Sequence, residues 1–229
     1  MILPELKKKN FAIYGLGITG LSVLRFLKKE GIKDINLWDD SAAKRNKLKI
    51  NNKINNFAKS LKYNDYIIVS PGIDINSSKI KRILQKNKKK IITDLDLFYM
   101  QNHQVKTIVV TGTNGKSTTC KLIQHVLKTN KMDVQLGGNI GKPILDVKIT
   151  KKSIVIIEAS SFQLSFLKFI KPQFAIILNI AKDHLDWHGT LKHYQNSKFN
   201  IFSKQDNQDY ALLNNQKLIK QFKKKNFVS

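Results

Sequence analysis

A strand that breaks into a glycine-bearing turn and passes directly into a helix is the junction on which parallel α/β folds are built. This chain carries it twice, and the sharper case runs from 107 to 128. Thr107–Val110 is a short apolar run that predicts a strand. The turn Thr111-Gly112-Thr113-Asn114-Gly115-Lys116-Ser117-Thr118 follows without a spacer. Leu122, Ile123, Val126 and Leu127 then recur at helical spacing, which predicts a helix over Lys116–Lys128 with these four side chains inward. Glycines at such a junction let backbone N–H groups converge on phosphate oxygens, and the helix N-terminus adds partial positive charge. Lys116 would reach the outer phosphates of a nucleotide, and Ser117 or Thr118 would offer a hydroxyl to Mg²⁺. The commonest phosphate-loop spacing places a glycine at 110, where valine stands; Gly112 is the glycine present.

The second case is Gly15-Leu16-Gly17-Ile18-Thr19-Gly20 after the strand Phe11–Tyr14. It matches the dinucleotide fingerprint, with Asp39 closing the next strand, where a carboxylate can bond a ribose hydroxyl. The same turn would hold any pyrophosphate, so NAD is one reading among several. Ile35–Trp38, Tyr66–Val69 and Ile91–Ile92 read as further strands, and Ile18, Leu21, Leu24 and Leu27 as a helix stopped by Gly31. Val134–Leu136, Ile154–Ile157, Phe174–Leu178 and Tyr210–Leu213 continue the pattern as strands, with a helix over Leu191–Phe202. Two α/β units are expected, at 1–94 and 95–229: a Rossmann-like parallel sheet, then a phosphate-loop α/β domain.

Glu158 ends the run Ile154–Ile157, which places a carboxylate for Mg²⁺ at the strand edge beside the loop. Asp183-His184-Leu185-Asp186 follows Phe174–Leu178 and should emerge on the same edge, where His184 would bind metal or orient a phosphate. His103, His125, His188 and His193 belong to no constellation and read as structural or solvated. The single cysteine, Cys120, excludes an internal disulfide and reads as packed in the helix after the loop. No apolar run approaches the roughly 18 residues that span a membrane, and no signal core follows Met1–Asn10, so a cytoplasmic setting is expected. The formal charge is +25, with small lysine knots at Lys7–Lys9, Lys88–Lys90 and Lys223–Lys225. No aromatic residues interleave with them as a base-stacking surface requires, so the charge reads as a solvated surface suited to an anionic small substrate rather than to nucleic acid.

Taken together, these motifs resemble the Mur ligases, ATP-dependent amide-bond ligases of peptidoglycan precursor synthesis. Carrying the resemblance are Gly15–Gly20, Ser70-Pro71-Gly72-Ile73, Gly137-Gly138-Asn139-Ile140-Gly141, Thr111–Thr118, Ser160-Ser161-Phe162-Gln163-Leu164 and the stretch from Asn179 to Asp183-His184. They are most similar to the branch that joins D-glutamate to UDP-N-acetylmuramoyl-L-alanine through an acyl phosphate. The resemblance makes Gly112, Thr113, Asn114, Gly115, Lys116, Ser117 and Thr118 the ATP contacts. It turns the first glycine turn from NAD to the uridine diphosphate substrate, with Ile18, Thr19, Asp39, Ser70, Gly72, Asn139, Ser160 and Gln163 as contacts. It implies catalytic roles for Lys116, Glu158, His184 and Lys198. It also implies Mg²⁺ held by Ser117, Glu158, His184 and Lys198, the last as a carbamate formed with CO₂. Related ligases often carry an arginine after the Asp39 position; here Asp40-Ser41-Ala42 follows, and Lys44 and Arg45 are the candidates to replace it. Family members have a third, C-terminal domain, which is not found here before Phe227-Val228-Ser229. The expectation is therefore an incomplete central domain and a chain inactive alone. A non-catalytic sensor of UDP-sugar or NAD is the competing reading.

Overall fold

A computed structural model describes residues 6–224. The chain divides into two compact units at Gln101 and Asn102. In the first, β1 (Phe11–Tyr14) lies between β2 (Ile35–Trp38) and β3 (Tyr66–Val69), with β4 (Ile91–Ile92) outside β3, all parallel, in the order β2-β1-β3-β4. The four residues of β1 are fully buried, which is why a continuous apolar run rather than an alternating one encodes the central strand. The chain adds β2 on one side of β1 and β3 on the other, so the sheet changes winding direction between β1 and β3. Ligands of open parallel sheets sit in the crevice at such a point.

α1 (Ile18–Lys29) follows the first glycine turn and buries Val23, Leu24, Phe26 and Leu27. It ends as the sequence predicts. Gly31 takes the left-handed conformation (φ 81°), its N–H bonding Lys28 O at 3.0 Å, while Ile32 N–H bonds Leu27 O at 3.0 Å. Four short helices complete the unit: α2 (Ala42–Lys47), α3 (Ile54–Ser60), α4 (Lys81–Lys86) and α5 (Asp94–Gln101). Helix α5 falls in the first unit, which runs to Gln101, and buries Leu95, Leu97, Phe98 and Tyr99.

The second unit is a five-stranded parallel sheet of β5 (Lys106–Thr111), β6 (Val134–Gly138), β7 (Ile154–Glu158), β8 (Phe174–Ile177) and β9 (Tyr210–Leu213), in the order β6-β7-β5-β8-β9. Helix α6 (Lys116–Thr129) covers one face. Cys120, Ile123 and Leu127 pack with Val110, Val134 and Ile156. Ile123 and Leu127 point inward as expected, but Leu122 and Val126 are 62% and 51% exposed. At 100° per residue the stripe set by Cys120 contains 123 and 127 and turns 122 and 126 outward. The helix expected over Leu191–Phe202 divides into α9 (Leu191–Phe199) and a 3₁₀ turn at Asn200–Phe202. Between β7 and α9 stand two single-turn helices, α7 (Ser161–Leu164) and α8 (Leu185–His188); α10 (Gln216–Lys224) closes the described chain. Beyond α6, Phe174, Tyr210 and Leu212 leave apolar surface beside a groove of about 380 Å³. Phe227, Val228, Ser229 and Lys225 lie outside the described residues, and within these no helix is long and apolar enough to cross a membrane.

Candidate functional site

In the first unit, the turn after β1 is held by close approach. A Cβ on Gly20 would lie 1.9 Å from Gly15 O, so only glycine lets α1 come this near the strand end. Ser70, at the end of β3, donates its hydroxyl to Gly15 O at 2.7 Å and fixes the turn from the neighbouring strand. Asp39 follows β2 and is buried. Its Oδ2 accepts the Leu16 N–H at 2.6 Å and its Oδ1 the Ser41 N–H at 2.8 Å, while Lys44 Nζ stands 3.3 Å from Oδ2. Burial pushes this carboxyl's pKa up, but the two N–H bonds and Lys44 outweigh it and leave the group below the usual range. Ile18 is exposed at the start of α1, Thr19 is half-buried, and Gly72 is exposed beyond β3. Five of the expected contacts thus gather around one sheet edge, with Asp39 and Ser70 bracing the turn.

In the second unit the phosphate turn leaves β5, the central strand. Asn179, just beyond β8, pins it: its Oδ1 accepts the N–H groups of Thr113 (3.1 Å) and Asn114 (2.9 Å), and its Nδ2 donates to Asn114 O (3.0 Å). The sequence named Asn179 only within a motif; an amide directly after a strand next to the loop strand is the signal for this brace. Lys116 Nζ folds onto the loop, donating to Gly112 O and Thr113 O at 2.9 Å each. Ser117 and Thr118 open α6 exposed.

Glu158 ends β7, one strand from the loop, and is buried. Its Oε2 accepts the Ser117 hydroxyl at 2.7 Å and its Oε1 the Asn139 amide at 2.8 Å. A hydroxyl and a carboxylate this close are the hard-oxygen donors that suit Mg²⁺. Lys198, on α9, is 2% exposed, donates to Gly112 O at 2.9 Å and lies 4.5 Å above the Tyr194 ring. Burial first, then the Lys116 charge, pulls its pKa down to about 7. An amine so placed is substantially neutral near neutral pH, as capture of CO₂ requires.

His184 takes a left-handed backbone (φ 50°), with its ring exposed beside Asp183 and centred 6.2 Å from Tyr194. The structure therefore joins Ser117 to Glu158 and places Lys198 and His184 against Tyr194. Among the described residues it does not gather three or more His, Cys, Asp or Glu side chains into a metal cluster. Ser160 and Gln163 are turned on each other: Ser160 Oγ accepts Gln163 N–H at 3.3 Å, and Gln163 Oε1 accepts Ser160 N–H at 3.1 Å, a capping box on α7. Cys120 is buried, and burial followed by the Glu158 charge pushes its thiol up to about 12, so it is packed and inert as expected. Sequence reading gave Tyr194 no role of its own and took His188 as structural or solvated; the structure makes it structural. Tyr194 shares a hydrogen bond with Thr113 Oγ1 at 3.0 Å, and His188 is buried between two serines.

Two parallel α/β units, each with a glycine turn at the carboxyl edge of its sheet, define a protein of the doubly wound α/β class. Family models sharpen this. "Mur ligase MurD-like, N-terminal domain" matches residues 9–92 and "Mur ligase middle domain" matches 110–228. The chain belongs to the Mur ligase family. Its relatives include the UDP-N-acetylmuramoylalanine--D-glutamate ligases of Rickettsia prowazekii (strain Madrid E) and Wolbachia pipientis wMel. The first is 39% identical over 212 residues, covering 91% of this chain and 47% of that protein. The second is 38% identical over 208 residues, covering 89% and 40%. The chain thus spans about half the length of the curated relatives it matches. A solved structure of the UDP-N-acetylmuramate:L-alanyl-gamma-D-glutamyl-meso-diaminopimelate ligase from Neisseria meningitides shares the fold. Its TM-score is 0.51 at 14% identity, over 94% of this chain and 75% of that one.

Proposed function

We propose that this chain supplies the substrate-nucleotide and ATP sites of a cytoplasmic ligase of peptidoglycan precursor synthesis, which joins D-glutamate to UDP-N-acetylmuramoyl-L-alanine. The observation that carries the reading is Glu158, bonded at once to Ser117 of the phosphate turn and to Asn139, with the Lys198 amine on Gly112 O of the same turn. The first unit binds the uridine diphosphate part around Gly15–Gly20, with Ile18, Thr19, Asp39, Ser70 and Gly72 at that edge. In the second, the turn Gly112–Thr118 holds the ATP phosphates by its N–H groups, with Asn139 and the Ser160–Gln163 turn on the substrate side.

In the reaction the substrate carboxylate oxygen attacks the γ-phosphorus. An acyl C–O–P linkage forms, the bond to the β-phosphate oxygen breaks, and ADP leaves. The amine of D-glutamate then attacks the acyl carbon, forming C–N, expelling phosphate and giving up a proton to solvent. Lys116 swings from the loop carbonyls to the transferring phosphoryl group and offsets its growing negative charge. Ser117 and Glu158 would hold Mg²⁺, which when bound neutralises phosphate charge. Lys198, by attack of its neutral nitrogen on CO₂ with loss of one proton, becomes a carbamate that adds a carboxylate-like donor, with His184 nearby.

Thermal melts of the 229-residue chain test this. UDP-N-acetylmuramoyl-L-alanine and Mg-ATP should each raise the midpoint, and NAD should not. Lys116→Ala should remove the ATP shift and leave the UDP-substrate shift. A rise with NAD and none with the UDP substrate would overturn the reading.

A further inference from the structure

Several basic groups border the first glycine turn, and the structure separates their tasks. Arg45 is spent on the fold: its NH1 donates to Asp39 O at 2.6 Å and Asp40 O at 3.0 Å, and its guanidinium lies 4.4 Å over the Trp38 ring. Asp40 is likewise closed, accepting Tyr14 OH at 2.6 Å and Trp38 Nε1–H at 2.9 Å. Lys44 is different. It reaches from α2 over the turn, half-exposed, with Asp39 as its carboxylate neighbour. A Cβ built on Gly17 would meet a single atom within 4 Å, the Lys44 ammonium at 3.9 Å. At Gly17 the Lys44 ammonium is thus the nearest group from outside the turn, whereas Gly15 and Gly20 are packed against Ser70. Below the turn, α1 begins at Gly17 with no side-chain cap.

Asp39 bears on which nucleotide fits. A carboxylate has about four acceptor positions. Three are taken here, by Leu16 N–H, Ser41 N–H and Lys44, and its side chain is 5% exposed. A dinucleotide site needs that carboxylate free to grip a ribose diol. Here it braces the turn and aims the ammonium.

We propose that Lys44 is the side chain that binds the diphosphate of the nucleotide substrate, and that Asp39 is a positioning residue acting through it. This rests on the uridine diphosphate reading of the first unit and names the group that supplies its charge. The ammonium above and the α1 N–H groups below make a cradle for a doubly negative linker, without the bidentate fork an arginine would offer.

Isothermal titration of UDP into the 229-residue chain tests it. Lys44→Met keeps the aliphatic stem and removes the charge. It should weaken UDP binding about tenfold, the loss expected for a charge-assisted hydrogen bond. Lys44→Arg should restore most of that affinity. Lys47→Met removes the same charge from an exposed position on the same helix and should leave affinity unchanged, which separates a local contact from the general basic field. The gap between wild type and Lys44→Met should narrow as salt rises from about 50 to about 500 mM. Lys44→Met binding UDP as wild type does, or Lys47→Met losing as much, would overturn the proposal while leaving the uridine diphosphate site standing. No UDP binding by the wild-type chain would overturn the site and the proposal together. A melt of each variant confirms that the fold is retained.

Discussion

His188 shows how much chemistry one residue can carry out of sight of the sequence. Its Nε2 meets Ser161 Oγ at 3.0 Å and its Nδ1 meets Ser197 Oγ at 3.4 Å, so the ring ties α7 to α9, the helix of Lys198. Phe162 stacks on it, and Trp187 and Tyr194 pack edge-on. Burial first, then the charges of His184, Lys198 and His193, pulls its pKa down to about 4. In the unfolded chain the ring titrates near 6.5. Between these values the unfolded state binds a proton that the native state refuses, so the stabilisation is intact above about 6.5 and drains away as pH falls toward about 4. Urea unfolding across that window should show wild type losing stability more steeply than His188→Gln, which keeps a polar end and has nothing to titrate. Equal slopes would mean the ring protonates freely in the folded protein. Sequence reading took His188 as structural or solvated without choosing between them, because its partners are 27 and 9 residues away and meet only through the crossing of three short helices. Lys198 was singled out by motif resemblance alone; its depressed pKa comes from burial, which no linear pattern among so many lysines displays.

At the scale of elements, strands and glycine junctions were legible because each is encoded locally. A buried parallel strand is an apolar run, and a strand-to-helix turn needs glycine at fixed places. The short helices α5, α7 and α8 were not legible, since four to eight residues carry too few turns for a period to show. The inward face of α6 was misread in part because Leu122 and Val126 are apolar yet lie off the stripe that Cys120 begins. Two glycines, one in the first turn of α1 and one just past its end, separate kinds of constraint. Gly31→Ala meets no atom within 4 Å and suffers only the left-handed backbone, about 1–2 kcal/mol. Gly20→Ala drives a methyl into Gly15 O, a backbone atom that cannot rotate away, so α1 must move off β1. Denaturant unfolding of the two variants should rank Gly20→Ala as the more destabilised, and Gly20→Ala should also weaken UDP binding because the turn itself shifts. The reverse order would mean that α1 has more freedom against the sheet than this contact allows.

For the whole molecule, the strand orders β2-β1-β3-β4 and β6-β7-β5-β8-β9 were out of reach of the sequence, because order is set by which crossover packs where and not by any one segment. The charge was legible from the start, and its placement agrees with a solvated surface: most lysines stand exposed, whereas Lys198 is buried and Lys116 half-buried beside the phosphate turn. Its energetic consequence follows from the balance of signs. Forty-one basic side chains face 16 acidic ones, and several of those acids are already engaged: Asp39 in bracing the first turn, Asp40 with Tyr14 and Trp38, Glu158 with Ser117 and Asn139. Exposed ion pairs such as Lys9–Asp65 and Lys171–Asp206 contribute little each and are screened by salt. The excess of basic over acidic side chains is self-repelling over distances comparable to the Debye length, about 10 Å at 0.1 M, and that repulsion opposes the compact state. Raising sodium chloride from about 20 to about 300 mM should therefore raise the thermal midpoint of this chain, contrary to the effect expected if surface ion pairs dominated its electrostatics. On the proposed function, polyphosphate anions should give the same rise at far lower concentration, since the proposed sites at the two glycine turns would add binding to general screening. Calorimetric scans across both series would check this; a midpoint that falls with added salt would show that the acidic residues have been placed well enough to outweigh an excess of 25 positive charges.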